Sequence, residues 1–188
     1  MATEGLAQAM SNTRAVLANV TPDQYDLATP CASWDVRALV NHIVGGSHYF
    51  AFCVNNGKSP GSANTTDFTQ GDLMAAYDDG ITDALAAFAS PGAMEKMIEL
   101  PFGTFPGVAF MGLATNDQFT HGWDLARATG QNTDLAPELA AQLLEGAKAT
   151  IPDQFRGPDG QAPFAPAQSA GADASAADEL AAFMGRSV

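Results

Sequence analysis

The sequence predicts an all-α protein, and three features carry that expectation. Apolar residues recur at helical spacing over four long stretches, with a fifth and a short sixth after them. Glycine, proline and short polar runs stand between those stretches, where helices stop and turn. Only the segment from Met94 to Phe105 breaks the helical period. Four long helices with short connections argue for a helical bundle, an architecture that builds metal and cofactor sites from side chains on facing helices.

Taken in order, Leu6, Ala9, Met10, Thr13, Val16, Leu17 and Val20 share one face of a first helix over about residues 2–19. Thr21-Pro22-Asp23 reads as a turn with proline at a helix-start position. Cys31 lies in the loop before Ser33, read as an N-cap with Asp35 in the first turn. From there Val36, Leu39, Val40, Ile43, Val44, Phe50 and Val54 carry a helix to about residue 55, stopped by Asn56-Gly57. Residues 57–69 are polar and read as a loop. Leu73, Met74, Tyr77, Ile81, Ala84, Leu85 and Phe88 form a third helix, ended by Pro91-Gly92.

The alternation around Pro101-Phe102-Gly103 suggests a short extended hairpin or an ordered loop. A fourth helix runs from about Val108 to Ala128 and closes at Gly130. Pro137 opens a fifth, bounded by Pro152, and residues 153–174 should be irregular. Ser175 with Asp178 resembles a capping box, starting a short last helix to Met184 with Gly185 as its stop.

Composition narrows the function. At 188 residues the chain reads as one domain, 1–188, with enough length for a sizeable core. Its net charge of −13 opposes phosphate backbones and anionic lipid, so nucleic acid and membrane are not expected partners. No apolar run approaches the roughly 20 residues that span a bilayer. The N-terminus has neither the basic nor the apolar region of a signal peptide, and a cytoplasmic protein is expected. Cys31 and Cys53 form no recognisable metal pair.

The chemistry is expected between Asn116 and Arg127. At 100° per residue, Asp117 and His121 stand one turn apart on one face. Phe110, Ala114, Asp124 and Ala128 share that side, which marks it as the inner one. A carboxylate and an imidazole facing inward are costly without a partner, and a divalent ion is one such partner. An ordinary helix-face pair is the plain alternative. A third ligand must come from elsewhere, and the other histidines are His42 and His48. Six residues apart, they cannot easily serve one ion, and both flank the apolar stripe of their helix, so periodicity does not choose between them.

Four segments carry a resemblance. Thr29-Pro30-Cys31-Ala32-Ser33-Trp34-Asp35-Val36 leads into Leu39-Val40-Asn41-His42-Ile43-Val44-Gly45-Gly46. Pro101-Phe102-Gly103 stands at the centre, and Asp117 precedes His121-Gly122-Trp123-Asp124-Leu125-Ala126-Arg127-Ala128-Thr129-Gly130. Ala174 to Leu180, with Gly185-Arg186, completes the set. Over nearly its whole length the chain resembles the metal-binding proteins related to the N-terminal domain of mycothiol-dependent maleylpyruvate isomerase, within the DinB-like superfamily.

The resemblance implies a DinB-like four-helix bundle holding a divalent metal, usually zinc, with nickel, manganese or iron(II) as alternatives. It implies His42, Asp117 and His121 as the ligands and leaves His48 without a ligand position. It also implies a low-molecular-weight thiol, mycothiol by precedent, that attacks an electrophile in isomerisation or S-transfer. A homodimer is compatible with it. The isomerase carries a second, C-terminal domain, for which the residues after the fifth helix are too few. A non-catalytic metal- or small-ligand-binding bundle is the rival reading.

Asp124, one turn past His121, is expected as a hydrogen-bond acceptor behind the ligands or a contact to substrate or cofactor, with pairing to Arg127 as the alternative. Cys31 near a helix start is either a nucleophile with a lowered pKa or an inert thiol. Trp34 and Trp123 are assigned to packing, and Gly45-Gly46 to close helix approach.

Overall fold

Helix α1 spans Glu4–Leu17, α2 Val36–Asn56, α3 Leu73–Ala89, α4 Gly107–Ala128, α5 Pro137–Thr150 and α6 Ala176–Phe183, with a hairpin of β1 (Met97–Leu100) and β2 (Gly103–Pro106) before α4. These elements come from a computed structural model that describes residues 3–62, 65–158, 161–162 and 164–188. The described residues are mostly helical with one small antiparallel sheet. No described helix is long and apolar enough to cross a membrane.

The helix starts show why the chain folds where it does. Asp35, not Ser33, caps α2: its carboxylate accepts from the Ala38 amide at 2.8 Å. A charged oxygen at the positive end of the helix outcompetes a hydroxyl, and Ser33 stays in the turn closed by the Trp34 amide on the Cys31 carbonyl. Asp72 caps α3 in the same way at Ala75. The capping box expected at Ser175 and Asp178 forms at the start of α6. At the other end of α2, Gly57 adopts φ 71°, a left-handed stop that suits a residue without Cβ. Lys96 then reaches the last carbonyls of α2, Val54 and Asn55, at 2.7 and 2.8 Å.

The break after α3 is a hairpin with Met97 opposite Pro106 and Leu100 opposite Gly103. Ile98 and Leu100 point inward while Met97 stays exposed, the alternation its sequence carried. The irregular region before α6 contains one short 3-10 turn at Asp153–Phe155 and a bridge from Arg156 to Phe164. The polar loop after α2 holds another at Phe68–Gln70, and its residues 63 and 64 lie outside the described residues.

Packing is close between two helix pairs, α1 with α4 and α2 with α3. Each close approach has a glycine. A Cβ on Gly122 of α4 would fall 2.2 Å from the Thr13 hydroxyl of α1, and one on Gly80 of α3 would fall 1.9 Å from the Ser47 hydroxyl of α2. Helix α4 also faces α2, and this contact positions the candidate site. Leu39, Val40, Ile43 and Val44 of α2 pack with Tyr77, Leu125 and Ala126 below it. A separate apolar cluster joins Phe119 and Trp123 of α4 to Leu139 and Leu144 of α5 and Leu180 of α6.

Candidate functional site

Asp117 and His121 project from successive turns of α4 toward α2, where His42 meets them from the second turn of that helix. The Asp117 Oδ1 lies 3.1 Å from His42 Nε2 and 3.6 Å from His121 Nε2. The three ligand atoms lie within 4.8 Å of one another. The imidazoles of His42 and His121 stand nearly perpendicular, 4.6 Å between centroids. Two faces of separate helices thus aim two nitrogens and one oxygen at a common point.

The second oxygen of Asp117 is held back from that point. Gln118 Nε2 donates to it at 3.3 Å and to the Ile43 carbonyl of α2 at 3.2 Å, while the Gln118 oxygen accepts from Tyr77 of α3 at 2.5 Å. Gln118 and Tyr77 are both fully buried. Sequence reasoning did not find this pair; a buried glutamine beside a candidate ligand has no periodic signature. Gly46 lies under it, where a Cβ would meet Gln118 Nε2 at 3.4 Å.

Trp34, in the loop before α2, covers the two imidazoles, its ring 4.5 Å from that of His42 and 5.4 Å from that of His121. The loop is fixed by the Thr29 hydroxyl, which accepts from the Cys31 amide at 3.1 Å and donates to the Trp34 carbonyl at 2.8 Å. The packing expected of Trp34 is therefore packing on the histidines themselves. Trp123 packs deep in the core, its indole N–H donating to Asp178 at 2.9 Å.

Behind His121, its Nδ1 lies 3.0 Å from Asp124 Oδ2. Asp124 has no exposed surface, and it pairs with Arg186, whose Nε and Nη2 reach its two oxygens at 3.0 and 2.8 Å. The alternative pairing with Arg127 gives way to this one, since Arg127 sits on the exposed side of α4. The Cys31 thiol donates to Asp124 Oδ2 at 3.2 Å and receives Arg186 Nη2 at 3.3 Å. Cys31, His121 and Asp124 are a second group with metal-ligand spacing. The guanidinium already supplies positive charge there, which leaves the His42, Asp117 and His121 group open to a cation.

His48 goes elsewhere. Its Nε2 donates to the Ala76 carbonyl of α3 at 2.9 Å, and its ring stacks on Phe68.

Electrostatics follow from these contacts. Burial pushes the Cys31 thiol up to about 12, Asp124 adding to the rise and Arg186 opposing it, so at neutral pH it is a thiol and not a nucleophilic thiolate. Burial alone would raise Asp124, but hydrogen bonds from His121 and Arg186 hold it down at about 2. Burial works against the charged form of both His42 and Asp117, yet their mutual attraction wins: His42 is raised and Asp117 lowered. A cation entering the site meets a carboxylate favoured in its ionised form and competes with a proton for His42.

Residues 6–126 match the mycothiol maleylpyruvate isomerase N-terminal domain, more than half of the chain. The chain belongs to that family. The match runs from α1 to nearly the end of α4 and so contains His42, Asp117 and His121, whereas α5, α6 and Arg186 lie beyond it. The chain is also 42% identical over 174 residues to two uncharacterized proteins of Mycobacterium tuberculosis, one from strain CDC 1551 / Oshkosh and one from strain ATCC 25618 / H37Rv. The alignment covers 93% of this chain and 91% of each of theirs. No solved structure matches it.

Proposed function

We propose that this family member is a divalent-metal protein of the DinB-like type that brings a small thiol to an electrophile. In this reading α1 to α4 form the four-helix bundle, residues 1–188 act as one cytoplasmic domain, and His42, Asp117 and His121 hold the ion, zinc in the first instance. The observation that carries the proposal is the convergence of those three side chains from two helices, 3.1 and 3.6 Å apart at the closest atoms. A tetrahedral ion with bonds of 2.0–2.1 Å sets its ligands about 3.3 Å apart, so the donor set fits with small adjustments.

Two imidazoles and one carboxylate leave a fourth position, the pattern of a site that takes a substrate. Held by His42, Asp117 and His121, a divalent ion would supply the charge that keeps a thiol ionised at neutral pH. The protein's own groups do the rest. Gln118 holds the Asp117 oxygen that faces away from the donor atoms, Asp124 accepts a hydrogen bond from His121 Nδ1–H, and Trp34 shields one side of both imidazoles from water. Cys31, protonated and engaged with Asp124 and Arg186, leaves the thiol to come from a cosubstrate. Mycothiol is the thiol the family points to, and its uncharged sugar portions suit a chain of net charge −13.

Elemental analysis and thiol-loss assays test this together. Wild-type protein should hold one ion per chain, His121→Ala none, and His48→Ala one. Metal-loaded wild type should consume mycothiol, in preference to glutathione, in the presence of an electrophile such as chlorodinitrobenzene, faster at pH 8 than at pH 6 because protons compete for the histidines and the thiol. One ion without turnover above free metal, for any thiol, would leave a binding protein in place of a transferase. Metal retained by His121→Ala would remove the site assignment.

A further inference from the structure

We propose that Arg186, outside the stretch matched by the family, is a positioning residue of the His42, Asp117 and His121 centre, fixing the Asp124 carboxylate that orients His121. The inference rests on the metal reading above.

The geometry is that of a clamp. Arg186 Nε and Nη2 meet the two Asp124 oxygens at 3.0 and 2.8 Å, a bidentate fork that only a guanidinium makes. Its third nitrogen, Nη1, donates to the Met184 carbonyl at 2.9 Å, so the guanidinium plane is fixed on its own chain as well. Asp124 is fully buried and accepts from His121 Nδ1 at 3.0 Å through Oδ2, the oxygen Arg186 Nη2 also holds. A carboxylate accepting at Nδ1 requires the proton there, which leaves the lone pair of Nε2 facing Asp117 and His42. Without the fork, only the Cys31 thiol and His121 itself would hold the Asp124 carboxylate, both on Oδ2, and the imidazole would be less firmly oriented.

The placement of Arg186 is itself built by separate devices. Helix α6 ends in a Schellman closure, the Gly185 amide on the Ala182 carbonyl at 2.9 Å and the Arg186 amide on that of Ala181 at 3.0 Å. Gly185 has φ 94°, and a Cβ there would fall 2.5 Å from the Ala165 Cβ, so another residue would strain the turn and crowd its neighbour. At the start of α6, Asp178 accepts the Trp123 indole N–H at 2.9 Å. Consecutive residues of α4, Trp123 and Asp124, therefore hold opposite ends of α6. A helix pinned at both ends onto the segment that carries His121 delivers its arginine to one place.

The test compares wild type with Arg186→Gln, Arg186→Lys and Ser175→Ala. Affinity is read by competition with a chromophoric chelator, and ligand geometry by the visible spectrum of the Co(II)-loaded protein. Arg186→Gln should bind the ion up to about tenfold more weakly, the low end of the range for loss of a group bonded to a metal ligand, because Arg186 acts through Asp124. Its cobalt bands should shift even at saturating metal. Arg186→Lys keeps the charge and loses the fork, so it should fold, shift the bands and lie between the two in affinity. Ser175→Ala loosens one of the two ends that place α6 but keeps the fork, so it should lower the melting temperature and weaken the ion less than Arg186→Gln does. Wild-type affinity and spectrum in Arg186→Lys and in any folded Arg186→Gln would overturn the inference while leaving the metal reading intact. Absence of metal from the wild type would overturn both.

Discussion

At the scale of single residues, Asp124 is the clearest case of a group whose charge is tied to stability. Its carboxyl is held at about 2, below the ordinary value of roughly 3.9, so its ionised form is favoured in the folded state. The stability it contributes is fully present above pH about 4 and is lost as pH falls through about 2, a span worth about 2 to 3 kcal/mol. Asp124→Asn removes the charge and leaves Arg186 uncompensated in a buried place. The variant should be less stable than wild type by about 3 kcal/mol at pH 7. Denaturant melts at pH 7, 4 and 2.5 should show that difference shrinking toward acid, because the protonated aspartic acid comes to resemble the amide. A difference independent of pH would mean that Asp124 is not ionised in the folded protein.

Residue-level reading of the sequence reached part of this site. The spacing of Asp117 and His121 gave their shared face directly, since both sit on one regular helix. It could not choose between His42 and His48, because that choice is made by which side of α2 meets α4 and which meets α3, a fact of packing that no single-helix period contains. Asp35 displaced Ser33 as the cap of α2 because two good capping residues stood close together, and only the loop geometry decides between them. Arg186 stood in the sequence as part of the resemblance, but its pairing with Asp124 lay beyond local reasoning. Its partner is 62 residues away, and the one local sign was a rare cation just after a helix-stopping glycine.

At the scale of elements, the helix pairs are set by the glycines at their crossings. Gly80→Ala gains about 1 kcal/mol in helix propensity but drives a methyl into Ser47, and overpacking of this kind costs about 1 to 3 kcal/mol. The clash should win, and the variant should melt below wild type. Gly112, exposed on α4 with nothing within 4 Å of an added Cβ, gives the opposite sign: Gly112→Ala should be stabilised by up to about 1 kcal/mol. Thermal melts of both variants check the pair: a rise in both would mean that the α2 and α3 crossing is looser than described, and a fall in both that the Gly112 position is not open. The elements themselves were legible because apolar period and a nearby glycine or proline stop agree for each long helix. The hairpin was read only as extended or looped, since four-residue strands carry too few alternations to separate the two.

At the scale of the molecule, the proposed ligands join α2 to α4, helices whose contact is less extensive than that of either close pair. Ion binding should therefore act as a tie between the two halves. At free metal about a hundredfold above its dissociation constant, the native state would gain about 2.7 kcal/mol. Chelation should lower the melting temperature of the wild type and leave that of His42→Ala unmoved. Equal shifts in both, read by calorimetry, would place the effect of the chelator elsewhere.

The pairing of Asp124 with Arg186 also bears on the order in which the molecule is made. A ribosome delivers Asp124 62 residues before the partner that neutralises it. Until then the carboxylate on the inner face of α4 has His121 and the Cys31 thiol as partners but no guanidinium, and burying it without that countercharge is disfavoured. The C-terminal half of α4 should therefore be slow to close on the core while α5 and α6 are still being synthesised. Helices α2 and α3, which pack closely on each other, can pair early, but the final docking of α4 should wait for one late arginine.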